Sequence, residues 1–102
     1  MTTFFISRHP GAINWIKQQG ITIDRWETHL DLADVKSGDR VVGTLPIPMV
    51  AALNQKGATY LHLNVAVPAS LRGQELSEET LDVLGATLQA FRVLEVVKKC
   101  HA

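Results

Sequence analysis

The apolar residues of this chain fall into short runs separated by glycine, proline and polar clusters. Thr3-Phe4-Phe5-Ile6 is the first run, and Ser7-Arg8-His9-Pro10-Gly11 interrupts it, which predicts a buried strand ending near Ser7. Pro10 disfavours a helical backbone at His9 and suits the first helical position itself, so His9 is the expected N-cap of a helix running to about Gln19. Ala12, Ile13 and Ile16 give this helix an apolar stripe and Gly20 gives it a stop.

Ile21 to Leu30 reads as a strand of mixed character, followed by a polar connection through Asp39. Arg40 to Leu45 is the third expected strand, and Pro46 to Lys56 holds a second helix, carrying Val50, Ala51 and Leu53 and closed by Gly57. Tyr60 to Val67 alternates and then becomes wholly apolar, which suits a strand covered on at least one face and ended by Pro68. Beyond the Arg72-Gly73 loop, Ser77 can cap a long helix, with Glu78 and Glu79 in its first turn. Leu81, Leu84, Leu88 and Phe91 recur at helical spacing, with Lys98 and Lys99 near the negative end. Strands alternating with helices predict an α/β architecture, a single Rossmann-like domain over residues 1–102 with a mostly parallel sheet flanked by helices.

Composition narrows the partners. The 102 residues are 46% hydrophobic, enough for one continuous core with no room for a second domain. Ten basic and ten acidic residues cancel, so no overall field draws duplex DNA to the surface, whereas a small anion needs only a local guanidinium and a helix N-terminus. Cys100 is the only cysteine and has no partner for a disulfide. The opening residues lack a basic signal-peptide region, and no apolar run approaches the roughly 18 residues that span a bilayer. These features predict a cytoplasmic protein without a membrane partner.

Ligands of open α/β sheets bind beyond the C-terminal ends of the strands, which singles out two turns. Ser7, Arg8 and His9, with Pro10 and Gly11 opening the helix, set a hydroxyl, a guanidinium and an imidazole beside helical N–H groups. Arg8 can grip two phosphate oxygens and His9 can move a proton near neutral pH. Capping and a solvated strand-end charge explain the same residues without a ligand. Gly43, Thr44 and Leu45 end the third strand with little bulk, which suits close approach of a ligand or, equally, tight packing. His62 and Asn64 share a strand face and can line a pocket or serve as hydrogen-bonded structural groups, and His29 carries still less signal. Trp15 and Trp26 can stack on a base or pack in the core. Arg72 is either a phosphate contact or a solvated loop charge. The four histidines have no cysteine or carboxylate cluster around them, so no metal site is expected, and no cofactor motif is present.

Taken together, Phe4 to Ala12 with Trp15, His29-Leu30-Asp31, Gly38-Asp39, Val42 to Pro46, Tyr60 to Leu63 and Arg72 to Leu76 resemble the sixteenth family of the Csx series of CRISPR-associated proteins, over nearly the whole chain. The resemblance implies a fold related to CRISPR-associated Rossmann-fold sensor domains and a role in type III antiviral signalling. It further implies a ring nuclease that opens cyclic tetra-adenylate and so switches off the effectors this messenger activates. Chemistry and position give Arg8 the charge-stabilising role, His9 the acid or base role and Ser7 with the following helix N-terminus the positioning role, with Pro10, Gly11, Gly43, Thr44, Leu45 and Arg72 as ligand contacts. The symmetry of the ring suggests a homodimer. A protein that only sequesters the messenger needs the same contacts, and an adaptor assembling through its last helix needs none of them.

Overall fold

The computed structural model describes residues 1–65, 70 and 77–96. Its elements are β1 (Thr3–Ile6), α1 (Pro10–Gln18), β2 (Arg25–Glu27), a 3-10 turn (Leu32–Asp34), β3 (Arg40–Gly43), α2 (Ile47–Gln55), β4 (Thr59–Asn64), α3 (Glu78–Val83) and β5 (Thr87–Phe91). They form an α/β structure around a five-stranded sheet of order β2-β1-β3-β4-β5, in which β2, β1, β3 and β4 run parallel and β5 runs antiparallel to β4. Among the described residues no helix is long and apolar enough to cross a membrane.

All four residues of β1 are buried, because the strand lies centrally in a parallel sheet whose two faces are both covered. Alternate side chains therefore enter different cores. Phe4, Ile6, Val41 and Tyr60 pack with Val50 and Leu53 of α2, whereas Phe5 and Val42 pack with Ala12, Trp15 and Ile16 of α1 and Leu81 of α3. Trp15 is a core residue rather than a stacking platform: it is 3% exposed, and its indole N–H donates to Asp82 at 2.8 Å, tying α1 to α3. Trp26 is partly exposed, edge-on to Phe5 with the Lys17 ammonium over its ring.

His9 is extended (φ −105°, ψ 115°) and Pro10 opens α1, as the Pro10 restriction requires. Other boundaries differ from expectation. β2 is only three residues long, because Ile21 and Ile23 pack against the α1 side without joining a ladder, and Leu30 lies past the strand end. β3 stops at Gly43, where the backbone turns toward Pro46. β4 spans Thr59–Asn64, and the expected continuation through Val67 and Pro68, apart from Val65, lies outside the described residues.

The largest correction concerns the last helix. Instead of running from Ser77 through Phe91, α3 ends at Val83. Gly85 takes a left-handed φ of +73°, its N–H donates to the Asp82 carbonyl, and the Ala86 N–H donates to the Leu81 carbonyl. This reciprocal pair closes a helix with glycine at the first non-helical position. Leu88 then belongs to β5, opposite Leu63, and Phe91 pairs with Tyr60. The expected assembly through one long apolar helix stripe loses its structural basis. Lys98 and Lys99 lie outside the described residues.

Asp39 anchors the entry to β3. Its carboxylate accepts the N–H groups of Thr2 and Lys36, each at 2.9 Å, and its own carbonyl accepts the Thr59 N–H. The Thr2 N–H first, then that of Lys36, holds the carboxyl below its ordinary pKa, against the opposing effect of burial. A depressed folded-state pKa contributes stability that is present above the unfolded value and lost as pH falls through the folded one. The stability gap between the parent and Asp39→Asn, read from urea midpoints, is therefore expected to be largest near neutrality and to shrink below about pH 4. A gap unchanged through the acid range would contradict this account.

Candidate functional site

The connection from β1 to β2 leaves on one side of β1, and the chain then crosses back to place β3 on the other side. The strand order therefore reverses between β1 and β3, and two parallel strands that diverge this way leave a crevice beyond their C-terminal ends. A cleft of about 550 Å³ occupies that position. Its wall is built from three strand exits: Ser7, Arg8 and His9 after β1, Thr28, His29 and Leu30 after β2, and Gly43 to Pro46 after β3. Phe5, Ile6, Ala12, Met49 and Leu63 supply an apolar floor.

The β1 exit is held by its backbone, which frees its side chains. Ser7 N–H donates to the Glu27 carbonyl at 3.0 Å, extending the pairing of β1 with β2, and Ser7 Oγ accepts the His9 N–H at 3.1 Å. The His9 carbonyl accepts the N–H groups of Ala12 and Ile13, while its imidazole makes no capping bond. Ser7 is thus the residue that shapes the turn, and the side chains of Arg8 and His9 stand exposed without a hydrogen-bond or ion-pair partner among the described residues.

The β3 exit is shaped from below by Tyr60. This ring is 2% exposed, and its hydroxyl lies 3.0 Å from the Gly43 carbonyl, 2.9 Å from the Leu45 N–H that it accepts, and 2.7 Å from His62 Nδ1. Burial pushes the phenol pKa upward, opposed by the Leu45 N–H, so the hydroxyl keeps its proton. When that proton goes to the Gly43 carbonyl, the hydroxyl accepts from both Leu45 and a His62 ring carrying hydrogen on Nδ1. His62 therefore supports the turn and does not line the cleft, and Asn64 donates to Gln89 across the β4–β5 ladder.

Gly43 has a packing reason to lack a side chain. A Cβ there would lie 2.8 Å from the Ile6 carbonyl oxygen on the adjacent strand. Gly43→Ala is expected to force β1 and β3 apart at the cleft and to cost about 1–3 kcal/mol. For a domain of this size each kcal/mol lowers the melting midpoint by roughly 4–8 °C. A variant melting together with the parent would mean that the strands yield freely.

Of the residues singled out in the sequence, Ser7, Arg8, His9, Gly43, Thr44 and Leu45 meet at this cleft. Pro10 and Gly11 do not line it, since they turn away into the first turn of α1, where Gly11 is buried. Arg72 lies outside the described residues. Thr28, His29, Pro46 and Met49 line the cleft without having been chosen as ligand contacts. For His29 the missing signal was the end of β2: reading that strand through Leu30 put His29 inside it, whereas an end at Glu27 puts it on the ligand side.

The electrostatics of the lining are one-sided. Arg8, His9 and His29 contribute one fixed cation and two imidazoles, Ser7, Thr28 and Thr44 add hydroxyls, and no carboxylate lines the cleft among the described residues. The first turns of α1 and α2 contain no acidic residue either. Arg25, by contrast, is satisfied elsewhere by Glu27 and Asp34 at 3.5 and 3.3 Å. A cleft with a cationic rim and an apolar floor suits a ligand that joins phosphate to a flat base. Among the described residues, no group of three or more His, Cys, Asp or Glu side chains is placed to hold a metal ion.

A family model described as "Putative CRISPR-associated protein (Cas_VVA1548)" matches residues 4–94. No curated protein and no solved structure matches the chain.

Proposed function

Because the chain belongs to this family of CRISPR-associated proteins, we propose that it is a ring nuclease acting on a cyclic oligoadenylate messenger of type III antiviral signalling, with cyclic tetra-adenylate as the substrate. The observation that carries the reading is the cleft at the β1–β3 reversal, with Arg8, His9 and His29 over an apolar floor and no carboxylate among its described lining residues. On this reading adenine lies against the floor and the phosphodiester meets the rim. The acceptors of a ring phosphate need donors, and every charged or titratable side chain of the lining can supply one.

The reaction uses the ribose itself as nucleophile. The 2′-hydroxyl attacks the adjacent phosphorus, the bond to the 5′-oxygen breaks, and the products carry a 2′,3′-cyclic phosphate and a 5′-hydroxyl. The protein bends the ring until nucleophile, phosphorus and leaving oxygen lie nearly in line. Arg8 neutralises charge on the non-bridging oxygens, His9 handles a proton, and Ser7 holds the turn that presents both. A ring of four nucleotides exceeds one cleft of about 550 Å³, and its rotational symmetry allows a two-fold homodimer to present the same groups to opposite phosphates.

The test is product analysis. Protein alone, in excess over the ring and with chelator present, is expected to convert cyclic tetra-adenylate into linear products ending in 2′,3′-cyclic phosphate. Ring recovered unchanged would leave a messenger-binding protein in place of a nuclease.

A further inference from the structure

Two histidines far apart in sequence reach the same cleft from neighbouring strands. His9 follows the exit of β1 and His29 follows the exit of β2. The register pairs Ile6 with Glu27, and the Ser7 N–H to Glu27 carbonyl bond carries the pairing one residue further. Arg8 and His29 therefore each lie two residues beyond the last paired residues of neighbouring strands, with His9 one residue beyond Arg8. Among the described residues neither imidazole has a hydrogen-bond or ion-pair partner, and both rings are exposed, whereas the ring of His62 is committed to Tyr60. The guanidinium of Arg8 and these two imidazoles thus line one cleft with no partner among the described residues to hold them from a ligand.

We infer that His9 and His29 work as a general base and general acid on the same phosphodiester, with Arg8 between them on its non-bridging oxygens. The inference deepens the ring-nuclease reading and rests on it. One imidazole, neutral at the start, takes the proton of the 2′-hydroxyl as the bond from O2′ to phosphorus forms. The other, protonated at the start, gives its proton to O5′ as the bond from phosphorus to O5′ breaks. Atoms and charge balance without water, redox partner or metal, and the two rings finish with exchanged protonation states that solvent resets. Such a pair needs one ring in each state, so turnover falls on both sides of a pH optimum. The other charged groups near these exits are already engaged: Glu27 with Arg25, and Asp31 with the Ala33 N–H. Neither α1 nor α2 turns an acid toward the cleft from its first turn.

Two measurements test the pair. In the parent protein, NMR titration of the imidazole protons, assigned with His9→Gln and His29→Gln, is expected to move the midpoints of His9 and His29 to higher pH together when adenosine 3′-monophosphate is added, while His62 stays in place. A neighbouring phosphate favours the charged form of both rings only when both face it. On cyclic tetra-adenylate, His29→Gln is expected to lower kcat by about 10²–10⁴-fold, to alter KM much less, and to erase one limb of the pH profile, with His9→Gln erasing the other. Turnover by His29→Gln at the parent rate, or a nucleotide response confined to His9, overturns the pair while the ring-nuclease reading stands. Paired responses in a parent that never opens the ring overturn the acid–base role together with that reading, leaving only a shared phosphate contact.

Discussion

Replacing His9 with alanine is expected to slow opening of the ring by about 10²–10⁴-fold, the range for loss of a general acid or base, while binding is largely kept. The substitution reads chemistry because the local structure does not depend on the ring. The His9 carbonyl, present in any residue, caps α1 through Ala12 and Ile13, and the His9 side chain makes no capping bond. Pro10 continues to hold position 9 out of the helical region. Single-turnover rates with the ring saturated by protein separate the chemical step from product release. A rate equal to the parent's would remove His9 from proton transfer and leave catalysis to alignment of the phosphodiester alone.

The second large effect belongs to Arg8, which is expected to act on binding as well as on rate. The guanidinium is exposed and unpaired among the described residues, so no existing ion pair has to break before it meets a phosphate. Hydrogen bonds to charged groups contribute about 1.5–3 kcal/mol each. Since every 1.4 kcal/mol is tenfold in affinity, Arg8→Ala is expected to weaken ring binding by about 10- to 100-fold and to lower turnover of bound ring as well. Arg8→Lys should recover only part of the loss, because an ammonium restores the charge without the planar two-toothed fork. Titration calorimetry on the slowed His9→Ala background measures the affinity before appreciable cleavage. Equal affinities for the alanine variant and its parent would place the phosphates elsewhere.

The connection between sequence and site is closest where local stereochemistry acts by itself. Pro10 excludes His9 from the helix, which is why the β1 exit was readable from four or five adjacent residues. Gly43 was readable as a place of close approach, but its neighbour was not: the Ile6 carbonyl comes from a strand 37 positions earlier in the chain. Tyr60 gave no sign of its role, since a tyrosine in an alternating strand looks the same whether or not its hydroxyl supports a turn. His29 was hidden by a strand boundary, and boundaries depend on which residues find a ladder partner.

The end of the chain shows the same limit from the other direction. Leu81, Leu84 and Leu88 satisfy a helical period, and Leu88, Ala90 and their neighbours satisfy a strand period. Gly85 decides between them by adopting φ +73° and reversing the chain onto β4, a local helix stop lying inside the apolar period.

What the amino-acid order determines by itself is therefore the local inventory: an opening buried strand, a proline-started helix, glycine stops, and a guanidinium and imidazole placed together at a strand end. Those features depend on steric restrictions within a few residues. Which strands become neighbours is decided only in the folded molecule, because pairing and burial join residues that no short window contains. The reversal of strand order between β1 and β3, the arrival of His29 at the cleft that Arg8 and His9 line, and the Tyr60 hydroxyl bonded at the Gly43 turn all arise at that level.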